Sequence, residues 1–307
     1  MSARRGESGL SGILVVDKPA GMTSHDVVNR VRRATGERRV GHAGTLDPMA
    51  TGILVVLVGP ATRLAPFLTA AQKSYRATIV FGAQTDTDDA DGRVVGMAPV
   101  PDEVCDPFFA AGTAAALVGV HDQVPPAFSA IKRGGEVAYV AARRGEVLEV
   151  EPRRIEILES VLLGVDANRA EWDIELSVSK GTYIRAIARD LGPALGTVAH
   201  LGSLRRTCSG AVVLDDAVTL ETIESAADVP SLFTDPIRAL SLQPLAPSET
   251  LLGDVAHGRR LPTDPPGQPG RLLSVVHDGA LLAVYQEDDG FARPVAVIPG
   301  GVVGGSR

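Results

Sequence analysis

Two uninterrupted apolar runs of strand length flank an amphipathic segment near the start of the chain. The runs cover residues 12–17 (GILVVD) and 52–58 (GILVVLV), and each is predicted to form a buried β-strand. Between them, apolar residues recur at helical spacing over 27–34, with Ser24 where an N-cap is expected and Gly36 where the helix should end. The pattern therefore predicts strand, helix and strand, with an irregular glycine-containing loop before the second strand.

Further strands and helices are predicted along the rest of the chain. Apolar and polar residues alternate over 75–81 and 172–178, which is typical of half-buried strands. A helix is predicted over 183–191 and another strand over 204–214. The segment 124–145 has no such period and is rich in Pro, Gly, Lys and Arg, so we interpret it as a long basic insertion.

The last quarter of the chain has the pattern of a small β-rich domain. Short apolar runs at 272–276, 281–285 and 295–298 follow a change of composition near 243–249, and Asp-Gly pairs supply the turns. A length of 307 residues also favours two domains, at about 150 residues per domain.

Cysteine use and hydropathy limit the compartment and the kinds of site. Cys105 and Cys208 lie far apart and form no C-x-x-C pattern, so we interpret them as free thiols and expect no metal site. Residues 1–10 lack the apolar segment of a signal peptide, and the longest apolar run, 53–58, is far too short to span a bilayer. We expect a cytoplasmic protein with no membrane association.

The charge distribution leaves a nucleic-acid partner open. The formal net charge of −7 argues against one, but residues 1–76 carry 11 Lys/Arg against 5 Asp/Glu, whereas 211–307 carry 6 against 13. Five arginines, ending at Arg39, fall within residues 30–39. They form either a solvated helix face or a phosphate-binding surface.

One loop presents a single carboxylate between the two apolar runs. Residues 41–52 (GHAGTLDPMATG) contain Asp47, and the local pattern by itself favours a structural role, because Asp followed by Pro is typical of a helix N-cap. A second acidic stretch, 85–92 (TDTDDADG), does not place its glycine and acidic residues in the register of an EF-hand, which excludes that type of calcium loop.

Together with six further blocks in the same order, the Asp47 loop resembles the catalytic signature of the TruB family of tRNA pseudouridine synthases, in its stand-alone bacterial form. The resemblance covers about residues 10–215. The further blocks are DKP at 17–19 with Gly21 and Ser24, KSY at 73–75, TDTDDADG at 85–92, PPAFSAIK at 125–132, GTYIR at 181–185 with ARDLG at 188–192, and LRRT at 204–207 with SG at 209–210. Several ordered blocks are a far more specific signal than one short motif.

The resemblance implies an isomerase that converts a uridine in the T loop of tRNA into pseudouridine. This reaction breaks the N1–C1′ bond and rejoins the uracil through C5, so it needs no cofactor. A carboxylate suits it as a nucleophile or as a stabiliser of positive charge at C1′. Whether Asp47 attacks C1′, attacks C6 or directs proton removal from C2′ stays open at this point.

The resemblance also implies three catalytic residues, Asp47, Tyr75 and Arg185. Arg185 is expected to pair with Asp47, which would keep the carboxylate ionised and fix its orientation. Tyr75 is expected to stack on the flipped base.

Substrate-binding roles follow for residues of the other blocks and of the basic segment. They are Lys18, Arg39, His42, Asp89, Lys132, Tyr183 and Leu204. Lys18 and the arginines up to Arg39 are expected to contact phosphates. His42 is expected to fill the space left by flipped bases, Leu204 to close the pocket, and Asp89 to order Arg185 or the substrate.

The implied fold class is α+β, with the pseudouridine synthase fold: a mixed, largely antiparallel sheet with flanking helices. The catalytic domain is expected over residues 10–240, with an RNA-gripping insertion at about 124–145. A small β-rich PUA-like domain is expected over 245–299, where an excess of acidic residues predicts a minor role in affinity.

The expected partner is the T-arm stem-loop of tRNA, bound by a monomer without an obligate protein partner. Two other hypotheses stay open: a tRNA-folding chaperone without chemistry, and a homologue guided by RNA within a ribonucleoprotein. Intact Asp47, Tyr75 and Arg185 favour an enzyme over a chaperone, and the absence of a basic tail favours a stand-alone enzyme. A two-carboxylate glycosidase lacks a convincing second acid.

Overall fold

The computed structural model describes residues 8–128, 132–133, 136–137, 144, 150–263 and 267–305. The α-helices in these residues are α1 (Ser24–Thr35), α2 (Ala65–Ala70), α3 (Pro107–Ala116), α4 (Ile184–Ala194), α5 (Leu220–Ser225), α6 (Pro236–Leu240) and α7 (Leu252–Ala256). The strands are β1 (Gly12–Lys18), β2 (Val40–His42), β3 (Thr51–Val58), β4 (Lys73–Phe81), β5 (Ala83–Thr85), β6 (Val94–Met97), β7 (Gly119–Gln123), β8 (Lys132–Arg133), β9 (Glu136–Val137), β10 (Arg153–Asp166), β11 (Glu171–Val178), β12 (Ala199–Ser209), β13 (Val212–Val213), β14 (Gln243–Leu245), β15 (Leu261–Pro262), β16 (Leu272–His277), β17 (Ala280–Asp288) and β18 (Phe291–Val302).

By compactness the chain forms two units. The terminal unit consists of Met1–Ala71 and Cys208–Arg307, and the central unit is Gln72–Thr207. The boundaries expected from the sequence, 10–240 and 245–299, divide the chain differently and stay a prediction about its domains.

In the terminal unit, the two apolar runs form the antiparallel pair β1 and β3. Their register runs from Gly12 opposite Val58 to Lys18 opposite Gly52, and β2 pairs with β3 as well. The residues from Ile13 to Val16 and from Ile53 to Val58 are buried on both faces. This burial explains why both strands read as continuous apolar runs, and it confirms the prediction of two buried strands.

Helix α1 follows β1 and is capped at both ends by residues of its own segment. Thr23, not Ser24, is the N-cap: its side chain accepts a hydrogen bond from the backbone N–H of Asp26, whose carboxylate in turn accepts from the backbone of Thr23. Gly36 ends the helix in the left-handed region at φ 65°. The predicted helix is confirmed, and the predicted N-cap at Ser24 is wrong by one residue, which frees the Ser24 hydroxyl for another contact.

The C-terminal strands form a five-stranded sheet in the order β14-β16-β17-β18-β15. The runs expected at 272–276, 281–285 and 295–298 lie within β16, β17 and β18, which confirms them. Asp278 and Gly279 connect β16 and β17 with φ values of 48° and 74°. Positive φ at both positions is the geometry of a type I′ hairpin turn, for which Asp-Gly is a preferred pair.

One hydrophobic core joins this sheet to the N-terminal strands of the same unit. Its buried members include Ile13, Val15, Ile53 and Val55 from β1 and β3, and Leu281, Val284, Ile298 and Val302 from β17 and β18. A second cluster, which includes Val275, Ala283 and Tyr285, lies within the C-terminal segment itself. The C-terminal sheet therefore contributes both to a core of its own and to the core beneath β1 and β3.

The central unit contains a sheet in the order β12-β4-β11-β10-β7. The pairs β4–β11, β11–β10 and β10–β7 are antiparallel, as expected for a largely antiparallel sheet. Trp172 of β11 is fully buried, lies edge-on to Phe81 at a centroid distance of 4.8 Å, and donates its indole N–H to the carbonyl of Val104 at 2.7 Å. Helix α4 follows β11 and carries Arg185.

Candidate active site

The Asp47 loop lies between β2 and β3 and is anchored by buried neighbours. Ala43, Leu46 and Ala50 are buried at 0%, 3% and 0% exposure, whereas Asp47 is partly exposed. The backbone N–H of Ala43 donates to the carbonyl of Val55 at 2.9 Å, and that of Ala50 donates to the carbonyl of Asp47 at 3.1 Å. The loop therefore presents one carboxylate on a backbone that is fixed on both sides.

Lys18 holds this loop from the end of β1. Its side chain is fully buried, and its ammonium group donates to the carbonyls of Pro19 at 2.9 Å, Met22 at 2.6 Å and Pro48 at 3.1 Å. The predicted phosphate contact at Lys18 does not fit this geometry, because a fully buried ammonium group that donates to three carbonyls has no access to an RNA backbone. Lys18 instead links the carbonyl of Pro48, the residue after Asp47, to the carbonyls of Pro19 and Met22 in the β1–α1 connection.

Ser24 holds the other side of Asp47. Its hydroxyl accepts a hydrogen bond from the backbone N–H of Leu46 at 2.9 Å and donates to the carbonyl of Leu46 at 3.0 Å. Ser24 belongs to one of the blocks found in the sequence, where its position predicts a helix cap and not this contact. A contact across 22 residues leaves no local pattern by which it could be found.

His42 ends β2 opposite Val56 of β3 and is half-buried. It therefore lies at the start of the loop that carries Asp47, on a strand with fixed register. Its predicted role in filling the space left by flipped bases stays a prediction.

Some arginines of the basic segment already bind other groups of the protein, whereas others are exposed to solvent. Arg30 pairs with Glu224 of α5, with 2.6 Å between Nε and Oε1, and this guanidinium lowers the pKa of the Glu224 carboxyl. Arg32 donates to the Asn29 side chain at 3.0 Å and to the carbonyl of Val40 at 2.9 Å. The remaining members, Arg33, Arg38 and Arg39, are exposed. The expected phosphate contacts therefore suit these three better than Arg30 and Arg32.

Tyr75 and Lys73 share one face of β4 in the central unit. Both are buried, at 8% and 6% exposure, and Tyr75 lies opposite Leu176 of β11. Burial, together with the charges of Arg206 and Lys180, lowers the pKa of Lys73 to about 8. Lys73 stands in the same block as Tyr75, but nothing in the local sequence marks it as a buried lysine.

Arg185 lies in the first turn of α4 and is buried, at 4% exposure. Its guanidinium donates to the carbonyls of Thr87 at 2.9 Å and Phe128 at 3.0 Å, and it lies 3.6 Å from the carboxylate of Asp89. The expected role of Asp89 in ordering Arg185 has this ion pair as its geometric basis. Arg185 and Asp47 belong to different units, so their pairing stays a prediction.

The acidic loop is organised around Asp89. The Thr87 hydroxyl donates to the Asp89 carboxylate at 2.6 Å, and the Asp91 backbone N–H donates to it at 3.2 Å. Burial raises the pKa of the neighbouring Asp88 carboxyl, and the nearby guanidinium of Arg189, at 3.3 Å, opposes this shift. In the described part of the chain, no group of three or more His, Cys, Asp or Glu side chains is arranged to hold a metal ion.

Tyr183 is the N-cap of α4, and its backbone is held by Gln123 at the end of β7. The Gln123 side chain accepts from the N–H of Tyr183 at 2.9 Å and donates to its carbonyl at 3.1 Å. Gln123 is buried and lies outside the blocks found in the sequence, so no sequence signal pointed to it. The substrate-binding role expected for Tyr183 stays a prediction.

Two further predicted substrate-binding residues are Leu204 and Lys132. Leu204 is buried in β12, at 7% exposure, and its expected role in closing the pocket stays a prediction. Lys132 pairs with Val137 in the β8–β9 hairpin, and its side chain lies outside what the structure describes. Most of the expected insertion at 124–145 also lies outside the described residues. Among the described helices, none is long and apolar enough to cross a membrane.

Two family models match consecutive parts of the chain. "TruB family pseudouridylate synthase (N terminal domain)" matches residues 32–184, which include the Asp47 loop and β4. "tRNA pseudouridylate synthase B C-terminal domain" matches residues 185–252, which begin at Arg185 and end before most of the C-terminal sheet.

Relatives of known name align over almost the whole chain. A protein of Thermobifida fusca named tRNA pseudouridine synthase B is 43% identical over 295 residues, which are 94% of this chain and 99% of that protein. A protein of Nocardia farcinica with the same name is 45% identical over 299 residues, which are 96% of this chain and 95% of that protein.

Solved structures show the same fold at lower identity. A chain from an H/ACA RNP bound to a substrate RNA containing 2′-deoxyuridine superposes with a TM-score of 0.68 at 22% identity, covering 94% of this chain and 84% of that one. A chain from a Cbf5-Nop10-Gar1 complex gives a TM-score of 0.68 at 23% identity, covering 93% and 83%. These likenesses confirm the expected α+β fold.

Proposed function

We propose that this chain, which belongs to the TruB family of pseudouridylate synthases, isomerises uridine 55 in the T loop of tRNA to pseudouridine. The observation that carries the proposal is the Asp47 loop, in which the backbone on each side of one partly exposed carboxylate is tied to buried groups. A chain that only bound and refolded tRNA would have no need for a carboxylate held in this way.

The reaction needs a group that acts at the glycosidic bond and no other reagent. The N1–C1′ bond breaks, the uracil turns, C5 bonds to C1′, and the proton leaves C5 while N1 gains one. Apart from the proton lost from C5 and the proton gained at N1, every atom of the uridine is retained, and the reaction involves no net oxidation or reduction. Asp47 therefore needs no cofactor. It acts as a nucleophile at C1′ or C6, or as the group that directs proton removal from C2′.

Arg185 and Tyr75 complete the proposed catalytic set. A guanidinium beside Asp47 would keep the carboxylate ionised and fix its orientation. The buried contacts of Arg185 with the carbonyls of Thr87 and Phe128 limit where its guanidinium can lie, which suits an orienting role. Tyr75 would stack on the uracil once the nucleotide is flipped out, because a stacked and paired uridine hides its reacting atoms.

The proposed substrate contacts come from several blocks of the sequence. Exposed Arg39, with Arg33 and Arg38, would bind backbone phosphates of the T arm. His42 would occupy the space vacated by flipped bases, while Leu204 would close the pocket over the uracil. Lys132 and Tyr183 would contact the RNA from their own blocks, and Lys18 would act on the RNA only indirectly, through the Asp47 loop.

We further propose that the chain acts in the cytoplasm as a monomer, without an obligate protein partner. The C-terminal sheet would be a PUA-like module with a minor role in affinity, since its segment is acidic. A chaperone activity on the same tRNA is compatible with this function, because an enzyme that opens the T loop also lets it refold.

The proposal is tested by tritium release from C5-labelled uridine in a T-arm stem-loop. We expect release by the wild-type chain and none by Asp47→Ala or Asp47→Asn, with RNA affinity retained in both variants. Asp173→Asn, a change of an exposed carboxylate on β11, is the matched control and should react like the wild type. Binding without release by the wild-type chain would reject the synthase function for this substrate and favour a chaperone or an RNA-guided complex.

A further inference from the structure

The hydroxyl of Ser24 forms hydrogen bonds with both backbone polar groups of Leu46, the residue before Asp47. Ser24 is buried, at 3% exposure, and its Oγ lies 2.9 Å from the backbone nitrogen and 3.0 Å from the carbonyl oxygen of Leu46. Leu46 is itself buried at 3% exposure. The residue immediately before Asp47 is thus fixed through its side chain and through both polar groups of its backbone.

The backbone of Pro48, the residue after Asp47, is held by the same short segment. The carbonyl of Pro48 accepts from the backbone N–H of Gly21 at 2.9 Å and from the ammonium group of Lys18 at 3.1 Å. The connection from β1 to α1, residues 18–24, therefore forms hydrogen bonds with the backbone of Leu46 and of Pro48, and Asp47 lies between these two residues.

Loss of the Ser24 hydroxyl would leave the buried N–H and carbonyl of Leu46 without this partner. A buried backbone group that loses its hydrogen bond is unfavourable enough for the backbone to move toward water or another partner. Leu46 lies outside the strands, so no ladder hydrogen bond would hold it in place. The resulting displacement would fall on Asp47, and a shift of about 1 Å at a reacting group can reduce the rate about a hundredfold.

We propose that Ser24 is a positioning residue for Asp47: its hydroxyl, not its place in α1, sets the position of the catalytic carboxylate. This inference rests on the proposed function. Ser24 has no expected contact with the RNA, so it should affect the chemical step and leave substrate binding unchanged.

The test measures the single-turnover rate of tritium release and the Kd for the T-arm stem-loop separately. For Ser24→Ala we expect the rate to fall about tenfold to a hundredfold, with Kd within about twofold of the wild type. Thr35→Val is the matched control, because it removes another buried hydroxyl of α1 that donates to a backbone carbonyl, that of Val31 at 2.8 Å. Its rate should stay within about twofold, since Thr35 lies at the other end of the helix. Ser24→Thr, which keeps the hydroxyl, should recover most of the rate.

Rates are divided by the fraction of protein that binds RNA, so that partial unfolding does not imitate a catalytic defect. If Ser24→Ala does not fold, Ser24→Cys carries the same comparison, because a thiol has nearly the same shape and is a weaker hydrogen-bonding group. An unchanged rate in the folded variant would overturn the proposal, as would equal losses in Ser24→Ala and Thr35→Val or a parallel loss of binding. Absence of release by the wild-type chain would instead overturn the proposed function and this inference with it.

Discussion

The side-chain amide of Gln123 forms two hydrogen bonds with the backbone of Tyr183, at 2.9 Å and 3.1 Å. Gln123 ends the edge strand β7, and Tyr183 is the N-cap of α4, two residues before Arg185. Arg185 in turn donates to the carbonyl of Phe128, five residues after Gln123. The segment that leads into the predicted RNA-gripping insertion and the start of α4 therefore hold each other in place.

Removal of this contact should weaken catalysis through Arg185. For Gln123→Leu we expect the single-turnover rate to fall about tenfold, because the N–H and carbonyl of Tyr183 lose their buried partner and the first turn of α4 shifts. Gln286→Leu is the control and should leave the rate unchanged, because it removes a partly exposed amide of the C-terminal sheet that donates to the carbonyl of Gly270 and accepts from Arg293. Equal rates for Gln123→Leu and the wild type would show that α4 holds Arg185 without this contact.

Arg39 and Arg30 should differ in their contribution to RNA binding. Arg39 is exposed, whereas Arg30 is already paired with Glu224. We expect Arg39→Ala to weaken RNA binding. The plot of the logarithm of the association constant against the logarithm of the salt concentration has a negative slope, and its magnitude should fall by about 0.7 to 0.9, as for the loss of one phosphate contact. Arg30→Ala should leave that slope unchanged. The same decrease in both variants would mean that Arg30 exchanges Glu224 for a phosphate when RNA binds.

Lys73 should give the stability of the protein a specific dependence on pH. Its pKa is about 8 in the folded chain, against 10.5 for an ordinary lysine. Between these two values the unfolded chain binds a proton that the folded chain releases, so this lysine makes the free energy of unfolding rise with pH. Relative to Lys73→Met, the wild type should therefore gain stability from pH 8 toward pH 10.5. Urea unfolding of both proteins at several pH values measures the difference, and a difference that is constant over this range would contradict the lowered pKa.

The shared core predicts that a change in the C-terminal sheet is felt in the N-terminal strands. Ile298 is buried at 2% exposure in the cluster that also contains Ile13 and Ile53. Ile298→Ala should lower the free energy of unfolding by about 2 to 5 kcal/mol, and hydrogen exchange should show reduced protection in β1 and β3 as well as in β18. Val295→Ala, at 49% exposure on the same strand, should change it by less than about 0.5 kcal/mol. Reduced protection confined to the C-terminal sheet would mean that it unfolds as an independent domain.

The sequence by itself determined the parts of this protein that depend on short-range pattern. Both faces of β1 and β3 are covered, so nearly every position in these strands is apolar. The resulting apolar runs at 12–17 and 52–58 are what predict two buried strands. The C-terminal strands followed from apolar runs joined at Asp-Gly turns. The Asp47 loop and its companion blocks were recognisable because a family resemblance depends on residue identity and order, which a single sequence records in full.

The tertiary structure decided which polar groups meet, and this changed the role of several residues. Ser24 was expected to cap α1 and instead holds Leu46, 22 residues away. Lys18 was expected to bind phosphate and instead holds the carbonyl of Pro48, 30 residues away, while Arg30 is paired with Glu224 across 194 residues. Hydrogen bonds and ion pairs at such separations depend on how strands and helices pack, and no local periodicity encodes them. The chemistry could therefore be predicted from the order of the blocks, but the support of the catalytic loop required the fold.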